Sequence, residues 1–238
     1  MRTSRRMLNG EVLDLDVPDA TALPPSTAIS VLSVDGRELE LTSGSENDRA
    51  YYLSLSGTRL DQELTLPGGQ LLRTGRYGAD PASGLGFSVS VGAHEVYGFT
   101  TPGVDLEALA GQLGQVRFRD TDTGPWVEPL SAAAWSPHRA HVVAQVVELS
   151  GVPGEGGESP AGYLLDVRRT RSGAPPAGTG STDGIAVRGG RLSRSAVQER
   201  HAYAVLEAAD FIAYGIPGGA DDLDQVATSM SVVTTRLG

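Results

Sequence analysis

Apolar residues alternate with polar ones in many short segments of this chain. In residues 10–17, Leu13, Leu15 and Val17 share a two-residue period and aspartates lie between them, as in a strand that is exposed on one face. The same alternation predicts strands over residues 27–34, 38–41, 51–55, 87–91, 140–149, 163–167, 185–187 and 202–206. Gly and Pro separate these segments, and short strands at such spacing are typical of a β-sandwich or barrel.

Two segments have the period of an amphipathic helix instead. Residues 106–113 and 223–230 each carry apolar side chains at i, i+3, i+4 and i+7. Each segment follows an aspartate, Asp105 or Asp222, which can accept hydrogen bonds from the free amides of the first helical turn. We expect both helices to pack one face against a sheet.

The chain also repeats itself in four blocks that keep one order. The blocks begin at Pro25, Tyr51, Gly69 and Tyr97 and recur at Pro137, Tyr163, Gly184 and Tyr214. This pattern predicts an internal tandem duplication, with a first β-rich repeat over residues 1–121, a second over 122–238, and a linker near 120–130. The expected fold class is mainly β (α+β), with two β-sandwich or barrel-like units and one C-terminal amphipathic helix in each.

Composition narrows the possible functions. The chain has 19 basic and 29 acidic residues, a net charge of -10, and neither Cys nor Lys. An acidic chain lacks the basic surface that nucleic-acid binding needs, and no apolar run has the length of a membrane span. The absence of Cys excludes disulfides and thiolate catalysis. We therefore expect no nucleic acid or membrane partner, and a location in the cytoplasm or in a released particle.

The motifs for catalysis or metal binding are weak. Residues 120–124 contain Asp-Thr-Gly, the tripeptide of aspartic proteases, but those enzymes need two such loops and the chain supplies one. The same run begins like a calcium loop but lacks its closing Glu. A polar turn is the favoured interpretation. The four histidines, His94, His138, His141 and His201, show no spacing that would share a metal. We expect no catalytic residues, metal or cofactor.

Arginines beside glycines form the one candidate site. Arg73 and Arg76 appear in matched places to Arg188 and Arg191, as does Arg59 to Arg171. Guanidinium groups bind carboxylates and phosphates bidentately, and the glycines permit close backbone approach. One hypothesis is therefore an anion site in each unit. The other is that each arginine braces an acidic neighbour or a partner subunit.

These observations favour a non-catalytic structural protein, a subunit of a larger assembly that binds other proteins or copies of itself. In architecture alone, a duplicated β-plus-helix unit resembles the tube-type domains of phage tails and related injection machines. That resemblance implies a ring, because tandem units let three chains imitate six-fold symmetry. The alternative function is a small anionic-ligand-binding protein or enzyme with its pocket at the interface of the two repeats.

Overall fold

The computed structural model describes residues 1–34, 37–78, 83–130, 135–137, 141–149, 162–170, 184–196, 202–218 and 223–238. Contacts between Cα atoms divide the chain into two compact units. One, here called the 27–141 unit, combines Thr27–His141 with Arg6–Glu11. The other, the 142–238 unit, combines Val142–Gly238 with Met1–Arg5 and Val12–Ser26. The repeat boundary at residues 121 and 122 is a division of the sequence and stays a prediction.

Strands dominate the described part of the chain. The elements are β1 (Arg2–Arg6), β2 (Val12–Asp16), β3 (Ala20–Ala22), β4 (Thr27–Val34), β5 (Arg37–Gly44), α1 (Glu46–Ser54), β6 (Gln62–Thr65), β7 (Leu71–Arg76), β8 (Leu85–Val91), β9 (His94–Phe99), α2 (Leu106–Leu113), β10 (Val116–Arg119), β11 (Trp126–Pro129), β12 (Trp135–Pro137), β13 (Val142–Leu149), β14 (Gly162–Arg169), β15 (Ile185–Val187), β16 (Gly190–Ala196), β17 (Ala202–Glu207), β18 (Phe211–Pro217), α3 (Leu223–Met230) and β19 (Thr234–Leu237). The mainly β fold class predicted from alternation is confirmed.

The 27–141 unit contains an antiparallel sheet in the order β12-β4-β5-β9-β8-β7-β6. Alternation in β4 leaves every second side chain buried, from Ala28 to Val34. A second pair, β10-β11, forms its own small sheet. The core of this unit joins apolar side chains of the large sheet to α2 and to the β10-β11 pair. The residues contributed by α2, β10 and β11 are Leu109, Leu113, Val116, Phe118 and Val127.

The 142–238 unit contains an antiparallel sheet in the order β3-β13-β14-β18-β17-β16-β15. Its small sheet is β1-β2-β19. The N-terminal strands β1 and β2 therefore belong mainly to this unit, although the strands that follow them along the chain from β4 onwards belong to the 27–141 unit. Helix α3 lies on β18: a Cβ at Gly215 would clash with Met230 and Val226. Glycine at this point lets the helix approach the sheet closely.

Neither large sheet closes into a barrel among the described strands. The outermost strands β6 and β15 each pair on one side only, with β7 and β16 respectively. The barrel-like part of the expectation is therefore wrong. The expectation of a C-terminal helix in each repeat is also wrong, because strand β10 follows α2 and strand β19 follows α3.

The strand predicted over residues 51–55 is wrong, because this segment lies in and just after helix α1. Ser45 caps the helix: its hydroxyl accepts from the Asp48 amide at 3.2 Å, and the Asp48 carboxylate accepts from the Ser45 amide at 2.8 Å. This reciprocal capping box was the missed sequence signal. Leu53 is the one buried residue of the helix, so the sequence has no apolar stripe that would predict a helix here.

The segment expected to be a linker contains strand β11. Val127 of this strand is 2 % exposed and lies opposite Phe118 of β10. The segment 120–130 therefore lies within the 27–141 unit and contributes Val127 to its core.

Both predicted helices are confirmed, and each begins and ends at the predicted residues. The Asp105 carboxylate accepts from the Ala108 amide at 2.9 Å, as a helix N-cap does. Asp222 lies outside the described residues.

Truncating a helix side chain in either core is expected to destabilise its unit. Leu109 is 0 % and Val226 1 % exposed. Leu109→Ala and Val226→Ala each remove buried methyl groups, and we expect the free energy of unfolding to fall by roughly 1–4 kcal/mol for each. Urea denaturation measures this. As a control, Gln225→Ala changes an exposed position of α3 and should leave the midpoint unchanged within about 0.5 kcal/mol. Parental midpoints for both core variants would contradict the packing.

Candidate functional site

Five of the six candidate arginines lie in described residues, and Arg171 lies outside them. Arg73, on β7, is engaged within its own unit. Its Nε donates to Glu63 Oε1 at 2.9 Å and its Nη1 to Ser90 Oγ at 3.3 Å. It therefore braces β7 against the strands on either side, as the acidic-neighbour hypothesis expects.

Arg76 and Arg191 contact backbone carbonyls near their own strands. Arg76 Nη1 donates to the Ser83 carbonyl at 3.5 Å, and Arg191 Nε donates to the Gly184 carbonyl at 3.2 Å. Both residues are exposed. These hydrogen bonds tie each arginine to an adjacent segment of its unit.

The glycines beside the arginines serve close backbone approach, as the sequence indicated. A Cβ on Gly75 would lie 1.7 Å from the carbonyl oxygen of Arg59, whose exposed side chain stands in the loop before β6. Gly190 has a φ of 149° and a Cβ there would lie 1.9 Å from the Glu207 carbonyl oxygen. Any larger residue at either position would force two strands or loops apart.

Strand register shows that the arginines do not occupy matched positions. In the 27–141 unit, Tyr97 of β9 lies opposite Ser88 of β8, and Ser88 lies opposite Arg73 of β7. Counting across the strands from Tyr97 therefore reaches Arg73 in two steps.

The same count in the 142–238 unit ends on a serine. Tyr214 of β18 lies opposite Val205 of β17, and Val205 lies opposite Ser193 of β16. Arg188 lies instead in the turn between β15 and β16. Counted from the two tyrosines, Arg73 thus corresponds to Ser193 and not to Arg188. The reason is the hairpin that follows each strand: Arg73 and Ser88 are 15 positions apart across β7-β8, whereas Ser193 and Val205 are 12 apart across β16-β17.

Arg188 lines an open groove of about 440 Å³ in the 142–238 unit. The charged residues of this groove are Arg2, Asp14, Asp16, Arg188 and Arg236. Arg2 Nε lies 3.4 Å from Asp16 Oδ2, and Ser4 Oγ donates to Asp14 Oδ1 at 2.5 Å. Neither Arg188 nor Arg236 has a side-chain partner among the described residues. Within the described part of the chain, the groove therefore offers two guanidinium groups without a side-chain partner, beside two aspartates that are already engaged.

Sequence reasoning missed most of this groove. Most of its charged residues come from the two ends of the chain, which meet only because β19 pairs with β2. These residues are Arg2, Asp14, Asp16 and Arg236. No spacing along the sequence signals that juxtaposition.

The Asp-Thr-Gly run forms a hydrogen-bonded turn. Asp120 accepts from the Ala93 amide at 3.0 Å and contacts His94 Nδ1 at 2.7 Å. Thr121 Oγ1 donates to the Gly124 carbonyl at 2.6 Å. These contacts engage the Asp120 carboxylate, whereas Asp122, the aspartate of the tripeptide itself, is exposed, and together they support the interpretation as a polar turn.

Of the remaining histidines, His141 is buried and lies with Nδ1 3.2 Å from Ser30 Oγ, whereas His138 and His201 are outside the described residues. The described residues hold no group of three or more His, Cys, Asp or Glu side chains that fits a metal ion.

A charged aromatic cluster on β14 and β18 was also missed. Asp166 is 9 % exposed and accepts from Arg168 Nη2 at 2.6 Å, and the guanidinium carbon of Arg168 lies 5.1 Å from the Tyr214 ring centroid. The hydrogen bond to Asp166 raises the pKa of Arg168, and burial raises the pKa of Tyr214. These contacts hold Arg168 against the sheet, which makes the cluster structural.

Tyr163 links β14 to α3 in the same unit. It is 3 % exposed, and its hydroxyl lies 3.1 Å from Ser229 Oγ. Burial raises its pKa to about 12; the hydrogen bond to Ser229 lowers it in part and the charge of Asp19 raises it further.

This pKa predicts a loss of stability in alkali. Because the folded state holds the Tyr163 proton more tightly than the unfolded chain, the stabilisation is complete below pH 10 and declines as the pH rises towards 12. Tyr163→Phe is expected to lower the free energy of unfolding by about 1 kcal/mol at pH 8, because the hydrogen bond to Ser229 is lost. It should also show a shallower decline above pH 10. Urea midpoints across this range measure the difference, and parallel declines would contradict it.

A scan against protein-family models found no match to this chain, and searches of curated proteins and of solved structures found none either. Among the described residues, no helix combines the length and apolar character needed to cross a membrane.

Proposed function

We propose that this chain is a non-catalytic subunit of a ring-like or tube-like assembly, built as an internal tandem duplication of sandwich-like units. It would bind other copies of itself or other proteins, in the cytoplasm or in a released particle. The proposed repeats are residues 1–121 and 122–238.

The observation that carries this proposal is the strand order. Counted from its first long strand, β4 or β13, each unit orders its sheet as first, second, sixth, fifth, fourth and third strand. Each unit then continues with a helix and one more strand, α2 and β10 or α3 and β19. Two units with one complex order are most simply explained by duplication, and duplicated units suit a ring because they supply two similar interfaces on one chain.

Burial along the first strand of each unit supports the duplication. Buried residues alternate with less buried ones through β4 and β13, and every position that is buried in one is buried in the other. In this alignment Ser30 corresponds to Gln145, and both are buried polar side chains.

The contacts of the arginines support a structural role. Arg73, Arg76 and Arg191 bind carboxylates, hydroxyls or carbonyls of their own units. Side chains used in this way stabilise local structure, which favours the bracing role over a ligand site.

The test is the mass of the purified chain in solution. Light scattering coupled to size-exclusion chromatography, followed by electron microscopy of the main peak, should show a particle of several 24.8 kDa chains. A ring that imitates six-fold symmetry should contain three. A monomer at all concentrations tested would contradict the proposal.

One observation favours the alternative, a small anionic ligand. Arg188 and Arg236 line the groove of about 440 Å³ without described partners. Isothermal titration with pyrophosphate and citrate tests it. Arg236→Ala should abolish binding, whereas Arg119→Ala, which removes an arginine paired with Glu128 outside this groove, should not. The proposed pocket between the repeats requires Arg73, Arg76 and Arg191 as well as Arg188. Loss of ligand binding on substituting those three arginines would therefore favour that pocket over the groove.

A further inference from the structure

Strand β6 is an open edge of the 27–141 unit. All four of its residues are exposed, and among the described strands it pairs with β7 alone. Leu64 is 40 % exposed, and Asp61, just before the strand, is exposed without a described side-chain partner. An unprotected edge presents free N–H and C=O groups that another strand can pair with.

Strand β15 is the corresponding edge of the 142–238 unit. Among the described strands it pairs with β16 alone, and Ile185 is 63 % exposed. Arg188 follows the strand by one residue and is exposed. An acid therefore precedes one edge strand and a base follows the other, and neither has a side-chain partner among the described residues.

We infer that β6 of one copy pairs antiparallel with β15 of a second copy, with Leu64 opposite Ile185. In this register Gln62 lies opposite Val187 and Asp61 opposite Arg188. Leu64 and Ile185 share one face of the joined sheet because side chains alternate along a strand. Asp61 and Arg188 each lie one residue beyond their strands, and they share the other face where the pairing extends by that residue. This single register places both the apolar pair and the ion pair opposite each other, which is why we favour it over registers shifted by one or two residues.

The contact joins two different surfaces of the chain. Such heterologous contacts build rings where the rotation closes and filaments where it does not. The inference rests on the proposed function and names the surfaces by which the subunits of the assembly would meet.

Charge reversal on the full-length chain tests the pairing. Asp61→Arg and Arg188→Asp each place like charges opposite each other, and each should raise the dissociation constant of the oligomer by about tenfold or more. The double variant restores an opposite-charge pair and should return the constant to within about threefold of the parent. Light scattering over a concentration series measures all four proteins.

Matched controls separate the edges from general charge effects. Asp210→Arg reverses an exposed acid in the turn before β18, and Arg236→Asp reverses an arginine of the same groove as Arg188. Both should assemble like the parent. Circular dichroism melting should show that every variant is folded.

The outcomes distinguish the two proposals. A parent that stays monomeric contradicts the proposed function and the edge pairing together. A parent oligomer that neither single reversal weakens overturns the edge pairing and leaves the assembly intact. Dissociation by the single variants without recovery in the double variant overturns the register, as does dissociation by Arg236→Asp.

Discussion

Fragments 1–121 and 122–238 are expected not to fold when they are expressed apart. The first fragment ends before β11 and β12, which pair with β10 and β4. The second lacks β2 and β3, which pair with β19 and β13. Each fragment thus lacks strands that complete a compact unit and exposes the apolar surface that those strands cover.

A cut at the boundary of the compact units should give a different result. Fragment 1–141 contains every residue of the 27–141 unit and should fold, whereas 142–238 lacks Met1–Arg5 and Val12–Ser26 and should not. Cooperative thermal unfolding by circular dichroism and protection of amides from hydrogen exchange measure folding in each fragment. Independent folding of 122–238 would show that the N-terminal strands are dispensable to that unit.

Gly75→Ala is expected to cause the largest loss among single substitutions. The new methyl group would lie 1.7 Å from the Arg59 carbonyl oxygen, a backbone atom that no side-chain rotation can move. The loop before β6 or strand β7 must therefore shift, and we expect the free energy of unfolding to fall by about 3 kcal/mol or more.

Gly111→Ala is the control for this substitution. Gly111 lies on the exposed side of α2, and a Cβ there meets nothing within 4 Å. Because alanine favours the helix, this variant should be more stable than the parent by about 0.5–1 kcal/mol. Urea denaturation of both variants gives the comparison. Equal midpoints for Gly75→Ala and the parent would show that the backbone relaxes freely at that point.

Sequence periodicity was a sound guide where an element buries one face. Strands β4 and β13 and helices α2 and α3 each present apolar residues to a core at the period of their own backbone. It failed at α1, where Tyr51 and Leu55 are each 69 % exposed and only the capping box marks a helix. Alternation without burial says nothing about secondary structure.

The candidate site was recovered only in part. The glycines beside the arginines were correctly linked to close backbone approach, but Arg73 lies on strand β7, whereas Arg188 lies in the turn between β15 and β16. Matching amino-acid identities along the sequence cannot detect that corresponding hairpins of the two compact units differ in length. A shift of an odd number of residues also moves a side chain to the other face of its sheet.

The sequence by itself determined the mainly β class, helices α2 and α3 and the net negative charge. These properties depend on local period and on composition, which any segment carries with it. Only the tertiary structure decided which strands pair, that β2 and β3 complete the unit formed by residues 142–238, and that Arg2, Arg188 and Arg236 line one groove. Pairing between distant strands depends on the register and burial of the whole sheet, and no local pattern encodes it.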